Sequence, residues 1–152
     1  MVDPSTSDGM AALSEIEGSH DGDIGINASD ADAGTNQALE AADQMALVDH
    51  PAVGIALDPS HATYAGEDVA QIARTLGDLV KHVHLRDAIG QDILVVPGDG
   101  TVDFTALASA LGEIGYGRAA IIELEYEDAT AAEVRPDLAR AKELLAKDFA
   151  VA

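Results

Sequence analysis

Three short apolar runs lie between residues 53 and 123, and each delivers a side chain able to bind a metal at its far end. They read Val53-Gly-Ile-Ala-Leu-Asp58-Pro-Ser-His61, Leu79-Val-Lys-His82-Val-His84-Leu-Arg-Asp87 and Ala119-Ala-Ile-Ile-Glu123. Runs this short and this rich in Val, Ile, Leu and Ala suit buried parallel strands better than half-solvated ones. The segments between them repeat apolar residues at helical spacing, so the expected order is strand, helix, strand, helix, strand, helix. In a parallel α/β fold every strand C-terminus lies on one side, which would gather Asp58, His84 and Glu123 around one centre. Carboxylate, imidazole and carboxylate form a mixed oxygen and nitrogen donor set. It suits Mn²⁺, Zn²⁺, Co²⁺ or Fe²⁺ better than Ca²⁺, which takes oxygen alone.

A chain of 152 residues is enough for one domain with a real core. It is too short for a whole (β/α)₈ barrel, which takes about 250 residues. Without cysteine, disulfides, thiolate metal sites and a thiol nucleophile are excluded. No apolar run approaches the roughly 18 residues of a membrane span, and the N-terminus lacks the regions of a signal peptide, so a soluble cytoplasmic protein is expected. The formal net charge is −20, from 28 acidic against 8 basic residues, and the first basic residue is Arg74. Such a surface repels nucleic acid phosphates and anionic membranes, which argues against both as partners. The acidic excess, with only Lys81, Lys142 and Lys147 as lysines, resembles proteins of salt-adapted archaea.

Residues 1–23 are rich in Asp, Ser and Gly with little periodicity and read as a disordered acidic tail, with a frayed helix at Met10 to Glu17 as the only element. Residues 24–148 read as the folded domain. Ile24 to Ile26 suggests a short strand. Thr35 is the expected N-cap of a helix to Val48 with Ala38, Leu39, Ala42, Met45 and Ala46 at helical spacing, stopped by Asp49-His-Pro51. A second helix is expected from Gly66-Glu-Asp to Leu76, burying Val69, Ile72, Ala73 and Leu76, with Gly77 at its C-cap. Gln91 to Val102 reads as a loop with a short strand at Ile93 to Val96 and a turn at Pro97-Gly-Asp-Gly100. Asp103 caps a helix to Ile114 that presents Leu107, Ala110, Leu111 and Ile114. The last helix begins at Thr130 or at Pro136 and runs to Lys147, burying Leu138, Ala141 and Leu145. Glu125, Glu127 and Asp128 read as a solvated acidic loop, Tyr116 as a packing residue and His82 as structural.

Leu57-Asp58-Pro-Ser-His61, His82-Val-His84-Leu-Arg-Asp87, Gly98-Asp-Gly-Thr-Val-Asp-Phe104 and Gly115-Tyr116 ahead of Ile122-Glu123 together resemble the C-terminal half of the xylose-isomerase-like TIM-barrel sugar phosphate isomerases and epimerases, a superfamily related to endonuclease IV. The resemblance runs from about Thr35 to Leu145 and implies α/β architecture, a partial (β/α)₈ barrel of about the last four βα units. It implies a divalent metal (Mn²⁺, Zn²⁺, Co²⁺ or Mg²⁺) at the barrel mouth, held by Asp58, His84 and Glu123. Glu123 would also be a catalytic base, His61 a catalytic and substrate-contacting group, and Asp87 a substrate-facing or supporting group. The implied activity is metal-assisted proton transfer next to the carbonyl of a small sugar or sugar phosphate. The family's glutamate at the end of strand 5 has no counterpart in Ile24-Gly-Ile-Asn27-Ala-Ser29, and its first four strands have none either. The expectation is therefore a half-barrel from a truncated or split gene, weakly active or inactive alone. The alternative is a non-catalytic subunit, either a homodimer or the partner of a separately encoded N-terminal half-barrel.

Overall fold

The computed structural model describes residues 37–126 and 128–149, with side chains from Ala41 onward. The expected tail, the strand at Ile24 to Ile26, the Thr35 cap and the stretch Ile24 to Ser29 lie outside these residues. The elements in chain order are α1 (Gln37–Val48), β1 (Ile55–Leu57), α2 (Pro59–Tyr64), α3 (Val69–Leu76), a 3₁₀ turn (Gly77–Leu79), β2 (Val80–Leu85), β3 (Asp87–Ile89), β4 (Asp92–Val95), α4 (Phe104–Glu113), β5 (Ala120–Ile122) and α5 (Ala131–Leu145). β1, β2 and β5 form one sheet in that order, all parallel. β3 and β4 form a separate antiparallel hairpin.

Capping aspartates start the helices where local spacing predicts. Asp68 Oδ1 accepts from the backbone N–H of Ala70 (2.9 Å) and Gln71 (3.1 Å) at the head of α3, and Asp103 Oδ1 accepts from Ala106 N–H (2.8 Å) at the head of α4. At α5 the choice falls on Thr130, whose N–H and hydroxyl both donate to Glu133 Oε2 (2.8 and 2.7 Å). Pro136 lies inside that helix and does not begin it.

The strands bury one face only, which corrects the expectation of strands buried on both sides. Ile55, Leu57, Val80, Val83 and Leu85 join Ala41, Met45, Val69, Ala73, Leu76, Leu107, Ala110 and Leu111 in one core beneath the helices. Ile72, Ile114 and Tyr116 pack against it less completely, while Ala46 is exposed and Ala41 takes its place. On the other face lie Ala56, His82, His84 and Ile121, the last 51% exposed. Period-2 alternation gives this division from His82 onward once Val83 and Leu85 point inward, while the register shift beside Val80 lets that residue turn inward as well. In α5 only the C-terminal third reaches the core, through Ala141 and Leu145. Leu138, expected to be buried, is 43% exposed.

Candidate metal centre

Register brings the three expected donors level. A bulge between Ile55 and Ala56 lets Ile55 pair with Val80 but Ala56 with His82 and Leu57 with Val83, so the next residue, Asp58, falls beside His84. On the other side His84 pairs with Ile121, and Glu123, two residues on, shares its face. Asp58, His84 and Glu123 thus each offer one ligand atom, and these atoms all lie within 4.8 Å of one another. Ligand atoms about 2.0–2.2 Å from a common ion can be at most about 4.4 Å apart. The trio is therefore close to coordinating spacing, and two oxygens with one imidazole nitrogen fit a first-row divalent cation.

Each carboxylate divides its oxygens between holding and offering. Asp58 Oδ1 accepts from the N–H (2.8 Å) and the hydroxyl (2.7 Å) of Ser60, which makes Asp58 the N-cap of α2 as well. Its Oδ2 faces Arg86 Nη2 (3.0 Å) and His61 Nε2 (3.6 Å). Glu123 Oε2 is in contact with His84 Nδ1, and Oε1 faces Arg86 Nη1 (3.4 Å). The His84 ring meets His82 edge-on, with centroids 4.7 Å apart, so His82 buttresses the ring that carries the donor.

Arg86, which stands inside a quoted motif without an assigned role, contacts two of the three donors. It is 5% exposed. Its Nε donates to Ser60 Oγ (2.9 Å), Nη2 lies 2.9 Å from His61 Nε2, and Nη1 donates to Glu125 Oε2 (2.5 Å). A guanidinium only donates, so His61 Nε2 is an acceptor turned toward Arg86. Glu125 remains exposed, as expected of a solvated loop, while its contact with Arg86 ties its carboxylate to the rim of the centre. Alternation from Glu123 was the signal that could have found it.

Asp87, expected either to face the substrate or to support the site, turns inward and is 1% exposed. Its Oδ1 accepts from the N–H of Ala88 (2.9 Å) and Val102 (3.0 Å), and its Oδ2 from Gly98 (2.9 Å) and Gly100 (3.0 Å). The carboxylate folds residues 98–102 around itself. Gly98 has φ +101°, and a Cβ on Gly100 would stand 2.1 Å from Asp87 Oδ1, so the turn needs glycine at both positions.

Comparison with known proteins shows the family. The model of the family described as xylose isomerase-like TIM barrel matches residues 7–147. An inosose dehydratase of Lacticaseibacillus casei is 30% identical over 105 residues, 57% of this chain and 35% of that protein. The chain thus spans about a third of the length of the curated relatives it matches. Among solved structures, the IolI protein with a bound zinc atom superposes with TM-score 0.58 at 26% identity, covering 77% of this chain and 45% of that one. The 3-keto-D-glucoside 4-epimerase YcjR from E. coli gives TM-score 0.54 at 28% identity, covering 74% and 41%.

Proposed function

We propose, for a chain that belongs to the xylose isomerase-like TIM barrel family, that Asp58, His84 and Glu123 hold a divalent cation and that the centre moves a proton next to the carbonyl of a small sugar or sugar phosphate. The observation that carries this reading is the convergence of three donor atoms within 4.8 Å at the C-terminal ends of adjacent parallel strands. Similarity to a dehydratase, an epimerase and a zinc-binding protein supports it, because epimerisation and loss of water beside a carbonyl can both begin with removal of the neighbouring C–H. A bound cation supplies the positive charge that draws electron density from that carbonyl. The chain's own residues do the rest. Glu123 is the carboxylate placed to take and return the proton, with Oε1 held at Arg86 and Oε2 toward His84. His61 stands where it would orient a substrate hydroxyl at the edge of the centre.

Turnover by the chain alone is expected to be weak, since the family's strand 5 glutamate has no match in residues 24–29 and loss of one acid/base group costs about 10² to 10⁴ in rate. Mn²⁺ titration calorimetry on the wild type and His84→Ala, with NMR of solvent deuterium entering ketoses and inososes, tests the reading. Micromolar to millimolar binding lost at least tenfold in His84→Ala is the expected result. A wild type that binds no Mn²⁺, or a His84→Ala variant that binds it equally well, would refute the centre.

A second reading has its own observation. Ile121, on β5 beside His84, is 51% exposed, and β1 and β5 are each paired on one side only among the described residues. We propose on this ground that further barrel strands, from a complementary half-barrel or a second copy, cover this face. Light scattering of the purified chain in high salt tests for the second copy.

A further inference from the structure

We infer that Arg86 is the positioning residue of the metal centre, an internal counter-cation that ties the Asp58 and Glu123 ligands together from the strand between them. This inference rests on the proposed metal-binding reading and goes beyond it by giving a role to a residue that is not itself a donor. An arginine whose whole side chain is 6% exposed has lost nearly all its water and is tolerated only where carboxylates and acceptors replace that water. Every partner that Arg86 finds belongs to the centre or its rim. Nη2 faces Asp58 Oδ2 and His61 Nε2, Nη1 faces Glu123 Oε1 and Glu125 Oε2, and Nε donates to Ser60 Oγ. Ser60 in turn holds the other oxygen of Asp58.

Two consequences follow from that fork. The first is orientation: with Oε1 of Glu123 drawn to Arg86, Oε2 is the oxygen left toward His84. The second is charge. Two carboxylates brought to ligand spacing repel each other strongly when partly buried, and a cation between their strands offsets this before any ion arrives. The same guanidinium repels an incoming divalent ion, so the charge it supplies to the unloaded centre is charge the ion need not supply. A lysine keeps the charge but reaches as a single point and cannot span both carboxylates.

The experiment measures thermal unfolding of wild type, Arg86→Met and Arg86→Lys in EDTA and in saturating Mn²⁺, with Mn²⁺ titration of wild type and His84→Ala as the control on the centre itself. Arg86→Met is expected to melt well below wild type in EDTA and to recover several degrees more on Mn²⁺ addition than wild type does, since the ion supplies the missing charge. Arg86→Lys is expected between the two. An equal rise with Mn²⁺ in wild type and Arg86→Met would overturn the inference, because a merely structural arginine lowers both melting temperatures alike. Should Arg86→Met not fold in EDTA, folding on Mn²⁺ addition supports the inference, and if it stays unfolded the lysine variant decides: a Mn²⁺ rise equal to wild type's overturns it. Absence of Mn²⁺ binding by wild type would overturn the centre and this inference together, whereas normal wild-type binding with equal rises overturns the role of Arg86 alone.

Discussion

Asp87 carries the clearest residue-scale prediction. Its four backbone donors are all charge-assisted contacts to a buried carboxylate. Asp87→Asn keeps the shape but leaves one oxygen to accept and sets an NH₂ against two N–H donors, so we expect a loss of about 2–4 kcal/mol in urea unfolding. Gly100→Ala should cost a similar amount, since its Cβ would press on Asp87 Oδ1, Asp87 Cγ and the Ala88 carbonyl oxygen at 2.1, 2.3 and 2.6 Å. Neither backbone atoms nor a saturated carboxylate can yield cheaply there. If both variants unfold at wild-type urea concentrations, the cradle does not organise this loop. The role was illegible in the sequence because three of the four donors come from residues 11 to 15 positions downstream, with no periodicity to announce them. Asp58, His84 and Glu123 were legible for the opposite reason: parallel topology alone fixes which ends of the strands meet. Arg86 lay between these cases, named in a motif yet unassigned, since only the register shows that it reaches both neighbouring strands.

Among the elements, α3 and α4 are fastened by a two-point ion pair, Arg74 Nε to Glu113 Oε2 (2.7 Å) and Nη2 to Oε1 (3.0 Å). Arg140 similarly ties α5 to Asp99 in the loop before α4. Hydrogen bonds from Arg74 hold the Glu113 carboxyl below its ordinary value of 4.5, and those from Arg140 hold Asp99 below 3.8. A depressed carboxyl favours the fold fully above its unfolded pKa and loses that contribution as pH falls through the folded one. The stabilisation these two pairs provide should therefore fade below about pH 4.5, so the melting-temperature difference between wild type and Glu113→Gln should shrink as pH falls. Both pairs are exposed, so the increment should be small and should shrink with salt. An identical acid profile in Glu113→Gln would remove this pair from the account. The helices themselves were readable because caps and faces are local properties, as at Asp68 and Asp103. The exposure of Leu138 was not, since helical spacing gives a face but not how far along the axis the core extends.

At the scale of the whole molecule the dominant quantity is the net charge of −20 on 152 residues. Like charges spread over a small domain disfavour the compact state, and the effect weakens as the Debye length shrinks from about 10 Å at 0.1 M salt to about 3 Å at 1 M. Many of the 28 acidic residues have no basic partner available, so local pairing cannot offset the repulsion as it does at Arg74 and Arg140. The melting temperature in KCl should thus rise steeply up to about 1 M, where screening is nearly complete. Sodium chloride should act alike at equal ionic strength, while an uncharged osmolyte should produce no matching rise in the low range. A rise that continues undiminished to several molar would point beyond screening to exclusion of salt from the surface or ion binding by the carboxylates. A melting temperature indifferent to KCl between 0.05 and 1 M would show that this charge does not govern stability, and would leave the acidic surface without a thermodynamic role.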